Sequence, residues 1–275
     1  MSEIKSMIAG AGHAGMRFDR VLEELLPRSG LRLRRRLIEN GSVLVDGKKR
    51  KPGFKIYAGA EVVLSRLENS ECVGKTASAI QVVERGEGFA ALDKPHGLHS
   101  AGIAGSTGVS VEEFLPEIFP EEDALLANRL DLLTSGLLLV AFGTGRLQEF
   151  HEYEDAGKVE KEYLARVHGQ PHDPFTVKNR LDTADRKQTG VLDEPDGPLR
   201  WTVVEPLRKF DDGTSLVRVN IAKGARHQIR AHLAHAGFPI VGDPLYGIGN
   251  ETGRMYLHHF RIAFTGFEAV SEPDW

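Results

Sequence analysis

The sequence has few of the residues that stabilise secreted or membrane-embedded proteins. Cys72 is the one cysteine among 275 residues, so an internal disulfide framework is excluded. No apolar run approaches the roughly 20 residues that cross a bilayer, and the N-terminal residues MSEIKSMIAG lack the apolar core of a signal peptide. These absences predict a cytoplasmic protein without a membrane partner.

Metal-ligand patterns are also scarce. His96 and His99 lie close together, but no acid or cysteine beside them completes a ligand set. His227 and His235 are eight residues apart on a predicted helix, with His232 turned off their face, and the HExxH pattern is absent. The sequence therefore predicts no metal.

The charge is unevenly distributed. The whole chain carries a net charge of −4, yet residues 14–66 hold 13 Lys+Arg against 6 Asp+Glu, a net +7, which leaves −11 for the rest. Such asymmetry indicates a basic nucleic-acid-binding module on an acidic body. The alternative is a solvated helix face. The candidate phosphate-binding residues are Arg17, Arg32, Arg34, Arg35, Arg36, Lys48 and Lys49.

The N-terminal part has the pattern of a small mixed domain. Apolar residues at helical spacing predict a helix over about 16–26, and a second over about 31–40. Val43 to Val45 predicts a strand that ends in an Asp46-Gly47 turn, and Glu61 to Leu64 a closing strand. Residues 1–13 are expected to be a loose tail. A polar segment, 66–78, predicts a linker, which gives domains at 14–66 and 79–270.

The second domain alternates strand and helix patterns. Residues 170–198 are rich in Pro, Asp and Gly and predict an irregular excursion, and the final residues are expected to trail off. Asp243 to Gly247 is interpreted as fold architecture. The predicted strands are 80–84, 89–93, 137–141, 159–167, 201–207, 215–222 and 255–264, and the predicted helices are 144–156 and 226–236.

Asp131 stands out within residues 125–141, LLANRLDLLTSGLLLVA, because it is an acid between apolar runs. A carboxylate at such a junction is costly unless it is paired. One interpretation is an Asp that caps the turn at Thr134-Ser135-Gly136. The functional interpretation rests on Arg129 and on a cation that keeps Asp131 ionised, for which Arg230 is the candidate.

Four stretches together resemble the RluA family of pseudouridine synthases, which isomerise uridine in RNA to its carbon-linked form. They occur in the family's order, and the segment around 15–65 resembles the alpha-L RNA-binding module. The stretches are KPHGLHS (94–100), RLDLLTSGLLL (129–139), KEYLARVHG (161–169) and GARHQIRAHLAHAGFPIVGDPLYG (224–247). Two positions depart from the family pattern: Asn128 stands where histidine is frequent, and Ala225 where an arginine is frequent.

The resemblance implies an α+β protein with a small N-terminal RNA-binding domain and a catalytic domain built on a mixed, mainly antiparallel sheet. It implies that Asp131 is the catalytic aspartate, as nucleophile or as stabiliser of a sugar-centred intermediate. Tyr163 would stack on the uracil and assist removal of the carbon 5 proton, and Arg230 would pair with Asp131. Arg129 would fill the place that the flipped base leaves.

Further expectations concern partners. Lys94 and His227 are candidates for RNA contact or for shaping the site. Pseudouridine formation involves no redox change and loses no group, so no cofactor is expected. The resemblance favours large-subunit ribosomal RNA as substrate, with transfer RNA as the alternative and no DNA expected. Two rival hypotheses are a non-catalytic RNA-binding or ribosome-assembly protein with a decayed synthase domain, and a metal hydrolase that uses Asp131 and histidines.

Overall fold

A computed structural model describes residues 5–26, 31–39, 41–64, 79–102, 110–185, 187–249 and 253–275, although not the side chains of Lys5, Arg32, Leu33 and Arg36. The chain divides into two compact units, one drawn from residues 1–79 and 101–123 and the other from 80–100 and 124–275. Among the described residues, no helix has both the length and the hydropathy that a bilayer-spanning segment requires. The predicted domain boundaries, 14–66 and 79–270, stay a prediction.

Among its described residues, the N-terminal unit contains a three-stranded antiparallel sheet and three α-helices. Its middle strand pairs with both others, in the order β1-β3-β2. The elements are β1 (Lys5–Ile8), α1 (Phe18–Val21), α2 (Leu31–Glu39), β2 (Val43–Val45), β3 (Glu61–Leu64) and α3 (Val111–Ile118). The expectation of a loose tail over residues 1–13 was wrong for β1. Met7 lies opposite Val62, so β1 covers an edge of β3 that would otherwise be unpaired.

Helical spacing in this unit places one apolar face on the sheet. Phe18, Leu22 and Ile38 are fully buried against residues that include Val45 and Val62. The regular helix α1 is shorter than predicted, because tighter three-residue backbone hydrogen bonds from 23 and 24 replace the α pattern after Val21.

The predicted turn between β2 and the basic segment is confirmed. Asp46 and Gly47 both have positive φ, 50° and 70°, and Val45 and Lys48 exchange two backbone hydrogen bonds across them. This backbone conformation favours Asp-Gly at a two-residue turn. The turn projects Lys48 and Lys49 outward, since both are exposed.

The second unit is built on a ten-stranded sheet. The order along the sheet is β4-β5-β7-β14-β8-β13-β12-β9, with β6 on β7 and β15 on β14. The parallel pairing in this sheet joins β7 to β14, and the other pairings are antiparallel. The predicted mixed, mainly antiparallel α+β architecture is therefore confirmed. The strands are β4 (Gln81–Arg85), β5 (Phe89–Lys94), β6 (Ala124–Leu126), β7 (Ser135–Phe142), β8 (Glu160–His168), β9 (Phe175–Val177), β12 (Thr202–Lys209), β13 (Thr214–Ile221), β14 (Leu257–Phe264) and β15 (Phe267–Val270).

Among the described residues, two α-helices pack in this unit, α4 (Thr144–Asp155) and α5 (Gln228–His235), and both are close to their predicted bounds.

Two expectations about the second unit were wrong. Residues 170–198 contain β9 and a separate hairpin, β10 (Asn179–Asp182) with β11 (Gly190–Pro195). The C-terminal residues form β15, which folds back on β14 after a turn that ends at Gly266, φ 79°. Both segments are short, and pairing with a neighbour rather than local pattern makes them strands.

The parallel contact between β7 and β14 explains the glycine after Asp131. His259 lies opposite Gly136, whose φ is 101°. A Cβ on Gly136 would lie 2.4 Å from the carbonyl oxygen of His259, so a side chain is sterically excluded there. Ser135 and Gly136 therefore belong to the strand and not to the predicted turn. The turn lies earlier in the chain, from Asp131 to Thr134, where the Thr134 amide donates to the Asp131 carbonyl.

Candidate active site

Asp131 lies in the short segment between β6 and β7, and hydrogen bonds between two side chains and the backbone fix that segment. The Ser100 hydroxyl donates to the Leu130 carbonyl at 2.8 Å and accepts from the Leu130 amide at 2.9 Å. Asn128 Oδ1 accepts from the Leu139 amide at 2.8 Å, which gives the residue that departs from the family pattern a structural role. A main chain held in this way aims the carboxylate in one direction.

Arg230 meets that carboxylate from helix α5. Its Nη1 donates to Oδ2 of Asp131 at 2.9 Å. The guanidinium is buried, whereas 26% of the Asp131 side chain is exposed. The predicted pairing of Asp131 with Arg230 is confirmed, 99 residues apart in sequence. Their catalytic roles stay predictions.

A second carboxylate, Asp243, holds the other side of the guanidinium. Arg230 Nε and Nη2 donate to its two oxygens at 2.7 and 2.8 Å, the two-point geometry that suits an arginine. The amides of Leu245 and Tyr246 donate to Asp243 Oδ1 at 2.9 and 3.1 Å. Burial alone would raise the pKa of Asp243, but the hydrogen bonds and charge of Arg230 lower it below its ordinary value.

Asp243 was missed as a site residue, because its stretch was interpreted as fold architecture. The architecture is real: a Cβ on Gly247 would lie 2.3 Å from the Asp243 carbonyl oxygen. An aspartate before Pro244 is an ordinary turn residue, and its local pattern gave no sign that the carboxylate reaches Arg230. The sequence offered one clue to a role for Asp243, which is that an ionisable residue occurs in a segment with the pattern of a turn.

His227 lies beside Asp131 at the start of α5, with its backbone in the left-handed region, φ 56°. Its Nε2 is 3.9 Å from Asp131 Oδ2, and its Nδ1 is 3.1 Å from the Tyr246 hydroxyl. Burial lowers the pKa of His227, the charge of Asp131 opposes this, and Arg230 adds to the lowering. A strained backbone at a non-glycine residue is typical of functional sites.

Arg226, the residue before His227, does not join this group. Its guanidinium donates instead to the backbone carbonyls of Thr183, Asp185 and Gln188, so it orders the loop between β10 and β11. Tyr246 links the same loop to the site, because its hydroxyl donates to the Thr189 carbonyl and accepts from the Thr189 amide at 2.7 Å.

Tyr163 projects from β8 and is buried, as the alternation of this strand predicts. Its ring stacks on His259, with centroids 4.4 Å apart and planes 12° from parallel. Burial raises the pKa of Tyr163, and the negative charges of Asp131 and Glu154 raise it further. The phenol is therefore neutral, and the aspartate is close enough to influence it.

Lys94 and Arg129 flank the Asp131 segment in different ways. The Lys94 side chain is fully buried, and its ammonium donates to the carbonyls of Leu98 at 2.7 Å and Pro95 at 3.1 Å and lies 3.4 Å from that of Leu132. This placement favours shaping of the site over contact with RNA. Arg129 is exposed two residues before Asp131.

The predicted basic residues of the N-terminal unit differ in their surroundings. Arg34 is buried and pairs with Glu23 at 2.5 Å. Arg17 and Arg35 are half exposed, and both donate to Asp19. Their contact with RNA stays a prediction, as it does for Lys48 and Lys49, and the side chains of Arg32 and Arg36 lie outside the described residues.

One of the histidines behind the metal hypothesis, His232, has other partners. His232 is buried between the Thr202 hydroxyl at 2.8 Å and the Asn179 carbonyl at 3.0 Å. Since a carbonyl only accepts, Nε2 carries the proton and Nδ1 accepts from the hydroxyl. In the part of the chain that the structure describes, no three His, Cys, Asp or Glu side chains come together as a metal ion requires.

Comparison with known families identifies both units. The profile described as RNA pseudouridylate synthase matches residues 88–235, and the S4 domain profile matches residues 16–62. The fold also resembles human RNA pseudouridylate synthase domain containing 1, with a TM-score of 0.61, 21% sequence identity, and coverage of 72% of this chain and 85% of that chain.

Curated relatives extend along almost the whole chain. It is 31% identical to ribosomal large subunit pseudouridine synthase C of Escherichia coli, over 95% of this chain and 89% of the relative. It is 29% identical to the protein of the same name from Haemophilus influenzae, over 96% and 88%. It is 30% identical to ribosomal large subunit pseudouridine synthase D of Xanthomonas campestris, over 90% and 76%.

Proposed function

The chain belongs to the RNA pseudouridylate synthase family, and from that premise we propose that Asp131 carries the isomerisation of uridine to pseudouridine in large-subunit ribosomal RNA. The observation that supports this role is the unequal use of the two Asp131 oxygens. Oδ2 is held by Arg230, while Oδ1 has no hydrogen-bond partner among the described residues. A carboxylate that is paired with a buried guanidinium yet partly exposed suits attack on, or stabilisation of, a sugar carbon.

The reaction breaks the bond between the sugar and ring nitrogen 1, turns the uracil, and forms a bond from the same sugar carbon to ring carbon 5. In the first step Asp131 Oδ1 either bonds to the sugar carbon or balances its positive charge, and the uracil leaves as an anion. In the second step carbon 5 takes the place of nitrogen 1, and the displaced carboxylate is free again. The carbon 5 proton is then lost and nitrogen 1 gains one, so that atoms and charge balance.

Arg230 and Asp243 prepare the carboxylate for this role. The guanidinium donates to Asp131 through one nitrogen, and Asp243 prevents the guanidinium from turning, because it holds the other two of its three donor nitrogens. A preorganised charge of this kind needs no rearrangement when the reaction begins.

Tyr163 supplies a flat surface for the uracil. Since its pKa is raised, the phenol is protonated at neutral pH, and the geometry supports stacking more directly than base catalysis. Help with removal of the carbon 5 proton stays a prediction. Arg129, exposed two residues before Asp131, is our candidate for the side chain that fills the stack after the target base has flipped out.

The N-terminal unit is proposed to bring the substrate. Its S4 match and its exposed lysines, Lys48 and Lys49, suit contact with RNA phosphates, which position RNA without reading its sequence. Arg17 and Arg35 keep part of their surface exposed while paired with Asp19 and extend the same basic set. The cytoplasm, where ribosomal RNA is assembled into subunits, is the proposed location.

The test is product formation by the purified protein. Large-subunit ribosomal RNA, transcribed in vitro with tritium at uracil carbon 5, is incubated with the enzyme, and release of tritium to water is followed. We expect release that saturates at one or a few sites, and mass spectrometry of nuclease fragments locates them. Transfer RNA transcripts are run in parallel and are expected to react far more slowly.

Binding of the same RNA is measured beside turnover. RNA that binds without release of tritium would support the non-catalytic rival and contradict the proposal. Faster release from transfer RNA would move the substrate assignment and leave the reaction intact.

A further inference from the structure

One face of the Tyr163 ring is occupied by a second flat ring. The imidazole of His259 lies parallel to it at 4.4 Å between centroids, and His259 is fully buried. A stacked pair of this kind has a preferred plane, so it restricts the tilt of both rings. A base that stacks on Tyr163 would therefore have to use the opposite face of its ring.

The register of strand pairing places His259 there. Along β8 and β14, His259 pairs directly with Tyr163, but the next pair is Arg261 with Glu162, so Phe260 is an extra residue on β14. A bulge of this kind re-aims the side chains that follow it. Arg261 accordingly points to the face of Glu162, with which it pairs at 2.8 Å, while His259 shares the face of Tyr163.

His259 is held in place by β7, the strand that leaves Asp131. Its Nδ1 is 2.6 Å from the Leu137 carbonyl, and because a carbonyl only accepts, Nδ1 carries the proton and donates. The close backbone approach of Gly136 to His259 fixes the main chain at the same point. The imidazole therefore connects the strand of the catalytic aspartate to the ring that receives the uracil.

We infer that His259 is a positioning residue for pseudouridine formation, which sets the plane of Tyr163 so that an extruded uracil stacks on the opposite face of that ring. The inference rests on the proposed function. Burial lowers the pKa of His259 to about 3, so the imidazole is neutral at neutral pH and acts as a surface rather than as an acid or base. Loss of the flat surface would leave the Tyr163 ring free to tilt, and turnover would suffer more than RNA binding.

A matched pair of variants tests this. His259→Phe and His259→Leu both lack the hydrogen bond to Leu137 and both stay apolar, but only phenylalanine keeps a flat ring against Tyr163. We expect the single-turnover rate of tritium release from large-subunit ribosomal RNA to stay within about twofold for His259→Phe and to fall about tenfold for His259→Leu. The RNA concentration at half-maximal rate should change by less than about twofold in both.

Thermal unfolding is recorded for both variants, and rates are compared at a temperature where each is folded. His259→Gln, which keeps a donor for Leu137 without a ring, is the second stack-free variant and should resemble His259→Leu. Equal rates for the phenylalanine and leucine variants, whether both normal or both reduced, overturn the inference. Failure of the proposed function is distinguishable, because the wild-type protein would then release no tritium at all.

Discussion

The two units each contain an arginine–aspartate cluster, and the clusters divide their charges in opposite ways. In the N-terminal unit one buried carboxylate, Asp19, is shared by two arginines, with Arg17 at 2.8 and 3.0 Å and Arg35 at 2.7 Å. In the second unit one buried arginine, Arg230, is shared by two carboxylates.

The difference decides which carboxylate is available for chemistry. Asp19 is fully buried and has three charge-assisted hydrogen bonds, which lower its pKa to about 2. Asp243 is likewise saturated, with four. Asp131 receives only the third donor nitrogen of Arg230 and keeps part of its surface exposed. The same two residue types therefore form a structural clamp when the acid is saturated, and leave a carboxylate available for the proposed reaction when the acid is partly free.

Apart from substitution of Asp131 itself, the largest effect is expected from the shared arginine. Arg230→Lys keeps the positive charge but loses the planar guanidinium, which donates hydrogen bonds to two carboxylates at once. We expect the rate of tritium release to fall at least about 100-fold, the order found when a preorganised donor is removed. The control is Arg261→Lys, an arginine on the opposite face of the sheet that pairs with Glu160, Glu162 and Glu268. If the two variants lose activity equally, the special position of Arg230 is contradicted.

The second effect is expected from Asp243, which orients Arg230 but is not proposed to react with the substrate. Asp243→Asn keeps the shape of the side chain, but its amide group opposes one guanidinium donor, so Arg230 is less firmly oriented. We expect turnover to fall about 10- to 100-fold, with a smaller change in RNA affinity, and the unfolding temperature to decrease. Steady-state kinetics and calorimetry measure both quantities. Wild-type turnover in this variant would show that Asp243 does not position Arg230.

The structural clamp should affect stability and not turnover. Asp19→Asn removes the charge that Arg17 and Arg35 share, and we expect the N-terminal unit to lose about 1–2 kcal/mol of stability, discounted because both arginines are half exposed. Hydrogen exchange of peptides from residues 16–26 and 31–39 would show it as faster exchange. Turnover at saturating RNA is expected to stay within about twofold. A large loss of turnover would remove the contrast between the clusters.

The smallest expected effect is the pH dependence of the stability that Asp19 contributes. The folded pKa of Asp19, about 2, lies below its ordinary value of 3.8, so the ionised form stabilises the fold. The contribution is complete above pH 3.8 and is lost as pH falls through about 2. The stability difference between wild type and Asp19→Asn should therefore be constant from pH 5 to 8 and shrink between pH 4 and 2. A stability difference that changes near pH 7 would show that a group other than Asp19 is responsible for it.

Much of the fold could be predicted because local pattern decides it. The alternation that buries Tyr163, the apolar run of β7 and the Asp46-Gly47 turn each depend on neighbours in sequence. The pairing of Asp131 with Arg230 was predictable for a different reason, since a carboxylate between apolar segments needs a cation and the helix at 226–236 offers one.

The features that were missed depend on register between distant strands. β1 and β15 are strands because β3 and β14 offer them an edge. The stack of His259 on Tyr163 and the extra residue Phe260 after it depend on strand register, which no periodicity reveals. Asp243 belongs to the same class, because only the folded chain brings it to Arg230.

The central claim is that the partly free carboxylate of Asp131 performs the reaction, and Asp131→Asn tests it most directly. This variant keeps the size of the side chain and an oxygen for Arg230, so the protein should fold and bind large-subunit ribosomal RNA with wild-type affinity. Single-turnover tritium release is expected to fall more than about 1,000-fold. Release within about tenfold of wild type, with binding unchanged, would contradict the account.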